Sequence, residues 1–322
     1  MADVVIGQRL AAAWTAYVGK SPEDNIHDEY WVFNRMSKGK AFVGFDGGTS
    51  INGPIEYALN PNVEWISDYS TIATSKPDTF DEYTYNWKIV GGAVPLSTQE
   101  AAENQGSGRK FNLKAAKLDN LKSSMMSKIN EALFATGTGN SGLEFGGFQH
   151  VISTSPTSGT VGGVNRATYT FWRNQATTAT KTSTDFDNLR SAMRSSYNNA
   201  SLGVNAQQPT WGVTTQTVFQ GYEGLLIANE RFTSKDEGDG SFKNQALKFK
   251  GMLLAFDRDC PSGTMYMVNE NSLQLGYLNG YWMTPYPEVM PANQFVEVFK
   301  VETKANVFSK NPRRNAVISS IT

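Results

Sequence analysis

Cysteine is nearly missing from this chain. Cys260 is the only one in 322 residues, so no intrachain disulfide can form and folding in a reducing cytoplasm is expected. Histidine is almost as scarce. His27 and His150 are the only two, and no H-E-x-x-H pattern joins them, which argues against a histidine-built zinc site. Charge is thin and balanced, with Lys+Arg 29 against Asp+Glu 30. That balance offers no basic field for nucleic acid and no polybasic surface for anionic lipid. No stretch approaches the roughly 18 apolar residues of a membrane span. The N-terminus also lacks the charged start and apolar run of a signal peptide. A soluble, unexported product with no membrane partner is expected.

What fills the space is Thr, Ser, Asn and Gly. Charged residues make up only 18%, so much of the surface is polar but uncharged. A partner can cover such a surface without stranding many ions. Along the chain, Val5, Leu10, Ala13, Trp14 and Tyr17 fall at helical spacing and suggest an amphipathic arm. The Gly-, Asn- and Pro-rich stretch from Lys38 to Asn62 reads as loop. Two extended segments follow, Val63–Thr71 and Asp81–Val90. In the second, Tyr83, Tyr85, Trp87 and Ile89 alternate with Glu82, Thr84, Asn86 and Lys88. With "TSKPD" as a turn between them, the two read as a long hairpin carrying Trp65 and Tyr69 on its first limb.

The strongest helix signal is 111–136, where Leu118, Leu121, Met125, Ile129 and Ala132 recur at three- and four-residue steps. Thr184-Asp185 reads as the cap of a second helix bearing Phe186, Leu189, Met193 and Tyr197. A third is expected near 216–232, after the strand-like "PTWGVT". From Leu247 onward short β segments alternate with turns. The whole reads as α+β with a β-rich C-terminal third.

Motifs for chemistry are weak. Gly137-Thr-Gly139-Asn-Ser-Gly142 has the G-x-G-x-x-G spacing of a dinucleotide turn. It follows a helix instead of a strand, however, and no acidic residue comes about 20 positions on. The plainer account makes Gly137 a left-handed helix stop. Cys260 in "DRDCPSG" lies beside Asp257 and Asp259, which would raise a thiol pKa, the wrong direction for a nucleophile. The acidic turn Asp236, Glu237, Asp239 lacks EF-hand spacing. Arg313-Arg314 could meet phosphate or a neighbour's carboxylate, or sit in an exposed turn. No catalytic, metal or cofactor site is expected.

The aromatic hairpin is the remaining feature. A two-stranded ribbon alone is marginal in water. Its aromatic face must be covered, either by the chain's own core or by another copy.

The order of these pieces resembles the major capsid proteins of tailed bacteriophages, with the Hong Kong 97-type fold. The similarity runs through the arm, the hairpin, "VGGAVPLSTQEA", the long helix, "ATGTGNSGLEFGGF" and the mixed α+β remainder. It implies an N-terminal arm (1–40), an extended E-loop hairpin (41–95) and a P domain (96–184 plus 286–322) with the spine helix 111–136. An A domain (185–285) completes it. Val94–Ser97 resembles the strand returning from the E-loop. "NQFVEVFKVETKANVFSKNPRRNAVISSI" resembles paired C-terminal strands joined through Arg313-Arg314.

On this resemblance the chain is a non-enzymatic shell subunit. It would form hexamers and pentamers around double-stranded DNA without reading sequence, with a portal and with separate scaffolding or decoration proteins as partners. It would be assembled in the host bacterial cytoplasm and reside in the virion. Trp65, Tyr69, Tyr83, Tyr85, Trp87 and Ile89 would make E-loop contacts between subunits. Gly47, Gly48, Gly91 and Gly92 would be hinges, and Leu118, Leu121, Met125 and Ile129 the packed spine face. The rival readings are an encapsulin-like nanocompartment and a β-rich hydrolase or carbohydrate-binding module.

Overall fold

A computed structural model describes residues 30–38, 40–103, 113–179, 188–201, 207–227 and 247–321. The expected arm at 3–17, the cap Thr184-Asp185 with Phe186 of the helix after it, and the acidic turn at 236–239 lie outside the described residues. The elements run α1 (Trp31–Lys38), β1 (Phe42–Phe45), β2 (Ser50–Glu56), β3 (Phe80–Asn86), β4 (Lys88–Ser97), α2 (Thr98–Glu103) and α3 (Leu113–Leu133). Then come β5 (Thr160–Val161), β6 (Val164–Asn165), β7 (Gln175–Thr178), α4 (Leu189–Ala200), β8 (Trp211–Thr214) and α5 (Gln216–Ile227). The last are β9 (Leu247–Phe249), β10 (Met252–Phe256), β11 (Met265–Val268), β12 (Leu273–Leu278), β13 (Thr284–Val289), β14 (Val296–Ser309) and β15 (Ala316–Ser319).

The chain forms two compact units. Of the described residues, one holds Tyr30 and those within 89–129 and 280–304; the other holds those within 31–88, 130–279 and 305–321. Helix α3 and strand β14 each contribute to both.

In the first unit β14 pairs with β13 and β4. Leu121 and Met125 of α3 pack with Val301, joined by Val90, Val94 and Met283. The four-residue step that places Leu121, Met125 and Ile129 on one buried stripe follows from 3.6 residues per turn. Leu118, one step earlier, is half-buried. Lys114 pairs with Glu288 at 3.0 Å and Lys117 with Glu100 at 2.7 Å.

The second unit is built on a six-stranded sheet ordered β7-β15-β11-β8-β10-β9. Its central strands β8 and β11 are buried at every residue, as a sheet covered on both faces requires. Met265 and Met267 face α4 and α5, in one core with Met193, Tyr197, Phe219 and Tyr222. Tyr266 points the other way, its ring 5.7 Å from Phe148, which in turn lies tilted against Trp211 at 5.9 Å. Trp211 meets Trp31 of α1 edge-on at 5.6 Å. The α1 start is held by a buried carboxylate: Val32 N–H donates to Asp257 at 3.1 Å, and Asn130 Nδ2 donates to the same side chain at 3.0 Å. An anion at a helix start offsets the orphan N–H groups there.

Several sequence expectations are corrected. The stretch read as loop contains β1 and β2. The partner of β3 is β2, in register from Ser50↔Asn86 to Glu56↔Phe80, and not Val63–Thr71, which is no strand. Gly53 and Pro54 masked β2, yet both are tolerated in a strand that pairs on one side only. The C-terminal strands are not paired with each other. β14 pairs with β12 and β15 with β11, because the 3₁₀ turn Pro312–Arg314 carries the chain from one sheet to the other. A buried knot of side chains fills that crossover. Asn315 Oδ1 accepts from Asn269 N–H at 2.9 Å, and Asn315 Nδ2 donates to Ser272 Oγ at 3.3 Å.

The glycine stretch after α3 is a turn, as expected. Gly137 has φ +77°, and Asn140, Ser141 and Gly142 are all left-handed. A Cβ on Gly137 would lie 2.9 Å from the Cα of Gly146, so both conformation and space require glycine. Cys260 is buried, and burial pushes its thiol up to about 12. It is a packing residue beside Thr264. Among the described residues no cluster of three or more His, Cys, Asp or Glu could hold a metal ion, and no helix is long and apolar enough to cross a membrane.

Candidate intersubunit interface

The hairpin has a shaft and a tip with opposite fates. In the shaft, Ile51 and Ile55 of β2 and Tyr83 and Tyr85 of β3 share one face by the period-two rule, and all four are buried. The Tyr83 ring stacks with Trp172 and with Phe308, both at 6.3 Å. Tyr85 lies edge-on to Phe308 and donates its hydroxyl to the Ser309 carbonyl at 3.4 Å. Its phenol is pushed far up by desolvation, so it stays a neutral donor. Trp87, half-buried, donates Nε1–H to the Gly48 carbonyl at 2.9 Å and meets Phe45 edge-on.

Tyr83 and Tyr85 are therefore part of the chain's own core. The expectation that they contact another subunit is corrected: β1, β12 and β14 supply the cover that a lone ribbon lacks.

Beyond Tyr57, whose ring still stacks on Phe171 at 6.0 Å, the chain leaves the body. The base closes with Tyr57 N–H on the Thr79 carbonyl at 3.0 Å. Asn62 and Ser75 bridge the two limbs, with Asn62 Nδ2 on the Ser75 carbonyl at 2.6 Å. Ser67 and Ser70 make the end turn through a backbone bond of 2.9 Å. Between these polar staples sit Leu59, Val63, Trp65, Ile66, Tyr69 and Ile72, all exposed, with Trp65 at 105% and Tyr69 at 99%. The tip thus holds its shape by short polar side chains and offers every large apolar group outward.

The first unit has its own apolar surface. Tyr286, Val289, Met290 and Phe295 are exposed along β13 and the connection to β14. β13 is an edge strand, and Pro285 and Pro287 lie in it. Proline blunts an edge against strand addition, so a partner would meet these side chains and not the edge backbone. Ile89 is exposed as well.

The expected hinges differ in kind. Gly48, with φ +109°, turns the chain into β2, and a Cβ added at Gly47 beside it would meet nothing within 4 Å. Gly91 and Gly92 lie inside β4. At Gly92 a Cβ would stand 2.5 Å from Leu121 Cδ1, so that glycine permits close packing of strand on helix. Arg313 is exposed on its 3₁₀ turn, and Arg314 beside it keeps a buried Nε without a hydrogen-bond partner. Sequence reading found Trp65 and Tyr69 but missed Leu59, Ile66 and Ile72, which follow no period. Their only signal is a concentration of apolar residues in a segment without helix or strand pattern.

No family model matches the sequence, and no curated protein matches it either. Solved structures do. The chain has the Hong Kong 97-type fold of the capsid shell proteins. It is similar to the cyanophage A-1(L) capsid protein, with a TM-score of 0.73 at 14% identity over 93% of this chain and 95% of that one. The capsid of Myoviridae phage XM1 gives 0.56 at 12% identity, covering 92% and 95%. The holo-SrpI encapsulin of Synechococcus elongatus gives 0.59 at 10%, covering 92% and 89%.

Proposed function

We propose that the chain is the major capsid protein of a tailed bacteriophage. In this reading many copies tile a closed icosahedral shell around the genome. The observation that carries it is the hairpin tip, where six large apolar side chains are held out from the body by a polar framework. At roughly 1.5–3 kcal/mol per fully buried side chain, the tip offers on the order of 10 kcal/mol. Association costs a similar amount, about 4–15 kcal/mol. One tip contact is therefore near break-even, and stability has to come from many repeated contacts, as in a closed shell.

The division into arm, E-loop, P domain and A domain belongs to this reading, as do hexamers and pentamers, a portal, and separate scaffolding or decoration proteins. The role is structural and not enzymatic, in the virion after assembly in the host cytoplasm. Trp65 and Tyr69 carry the contact between subunits, with Trp87 and Ile89 at its base; Gly47 and Gly48 provide the hinge. Arg313 serves a neighbouring carboxylate or phosphate.

The likeness to an encapsulin supports a second reading, a protein-filled compartment. Expression of the full chain followed by light scattering and negative-stain imaging tests both. Shells are expected; a persistent species of 35.4 kDa overturns both readings. Nuclease-protected DNA inside virion-derived shells separates the phage reading from a cargo protein.

A further inference from the structure

On the α4–α5 side of the six-stranded sheet lies a cavity of about 380 Å³ lined by Arg190, Arg194, Tyr222, Lys248, Phe249 and Lys250. Among the described residues the lining comprises four cationic side chains and two aromatic ones. Arg190 and Arg194 stand one turn apart on α4, an arrangement that opposes helix stability through like-charge repulsion. Lys248 enters from β9. The floor is apolar, with Tyr222 and Phe249 buried.

Lys250 breaks a second local rule. β9 and β10 pair through Phe249↔Met252, leaving a two-residue loop, Lys250-Gly251. Both residues have positive φ, +49° and +85°, the pattern of a type I′ turn, whose first position favours asparagine or glycine. A lysine there is held in a left-handed conformation that suits it poorly. Its ammonium is nonetheless fixed: Nζ donates to Asn198 Oδ1 at 2.8 Å and lies 5.4 Å from the Tyr197 ring. The Tyr197 hydroxyl in turn donates to the Lys250 carbonyl at 3.2 Å. Asn198 and Tyr197 carry no charge, so they orient the ammonium without neutralising it. Local preferences sacrificed together at one concave place mark function more often than accident.

We infer that this cavity is a binding site for a compact polyphosphate anion, of the size and charge of tripolyphosphate or a nucleotide's triphosphate. Guanidinium forks grip phosphate oxygens in pairs, while lysines add point charge. The volume is at the small end of ordinary ligand sites. The site stands independently of the shell reading, since the six described lining residues belong to one unit of one chain.

The test is calorimetric titration of the full chain with tripolyphosphate, inorganic phosphate and a short single-stranded oligonucleotide. The wild type is compared with Arg194→Gln and Lys250→Asn. Tripolyphosphate should bind the wild type, more tightly than inorganic phosphate, and each substitution should weaken it by about tenfold or more. Lys250→Asn should at the same time raise the Tm of the ligand-free chain, because asparagine suits the turn. Lost binding in a more stable protein is a result that a merely structural lysine would not give. Equal affinity in all three proteins overturns the inference, as does binding of the oligonucleotide alone or no binding by the wild type.

Discussion

The Tyr83 ring lies across Gly53 on the opposite strand, so that a Cβ at Gly53 would come within 2.3 Å of the tyrosine oxygen. Absence of a side chain on β2 is what lets the β3 aromatic lie flat beneath the hairpin and reach Phe308 and Trp172. Gly53→Ala should push the ring off its stack and destabilise the second unit by about 1–3 kcal/mol, in the range of core overpacking. Urea denaturation measures this, and an unchanged midpoint would show that the ring moves aside freely.

Shaft and tip should respond in opposite ways to truncation. Tyr85→Ala should cost the monomer about 3–5 kcal/mol, as for a buried aromatic. Trp65→Ala with Tyr69→Ala should leave the monomer within about 0.5 kcal/mol of wild type yet prevent shells. Melting curves and light scattering on the same preparations give both answers. Shells of normal yield from the tip double variant would remove the tip from the assembly contact.

Gly92 separates close packing from hinge motion. If strand and helix need the space, Gly92→Val should destabilise the first unit by about 1–3 kcal/mol through contact with Leu121. A hinge alone would leave thermal stability untouched and change only assembly. Gly91, whose added Cβ would meet only the Val301 carbonyl at 3.8 Å, is the matched control and should tolerate alanine.

Acid should weaken the second unit through His150. Burial, reinforced by the Arg166 guanidinium, holds its imidazole below the ordinary 6.5. The unfolded chain therefore takes up a proton first as pH falls. The stability linked to the neutral ring is full above about pH 7 and declines through 6.5 toward the lowered folded value. His150→Gln should flatten that decline in denaturation series between about pH 7.5 and pH 5.5. An equal slope in both proteins would assign the acid sensitivity elsewhere.

Periodic elements were legible. The stripe Leu121, Met125, Ile129 gave α3, and runs such as "MYMV" and "LQLGYL" gave β11 and β12 almost to the residue. The helices bearing Met193 and Phe219 were legible for the same reason. The tip showed itself only through Trp65 and Tyr69, because side chains on an aperiodic limb carry no face. Strand β2 was illegible: Gly53 and Pro54 contradict strand preference locally, and only the Tyr83 ring across the sheet explains them. The cationic cavity was equally hidden, since α4 and the β9–β10 turn are some fifty residues apart in sequence, as the Lys250–Asn198 bond spanning 52 positions illustrates.

By itself the sequence determined where helices and core strands form, since apolar spacing acts over a few residues and needs no distant partner. It also left no material for a disulfide or a histidine metal site. Tertiary structure decided which aromatic rings are inside: Tyr85 and Trp65 are both large rings on what reads as one hairpin, and the presence of Phe308 and Ser309 beneath Tyr85 is what makes it core while Trp65 stays at the surface. Burial belongs to the surroundings of a side chain, and those surroundings come from residues more than two hundred positions away.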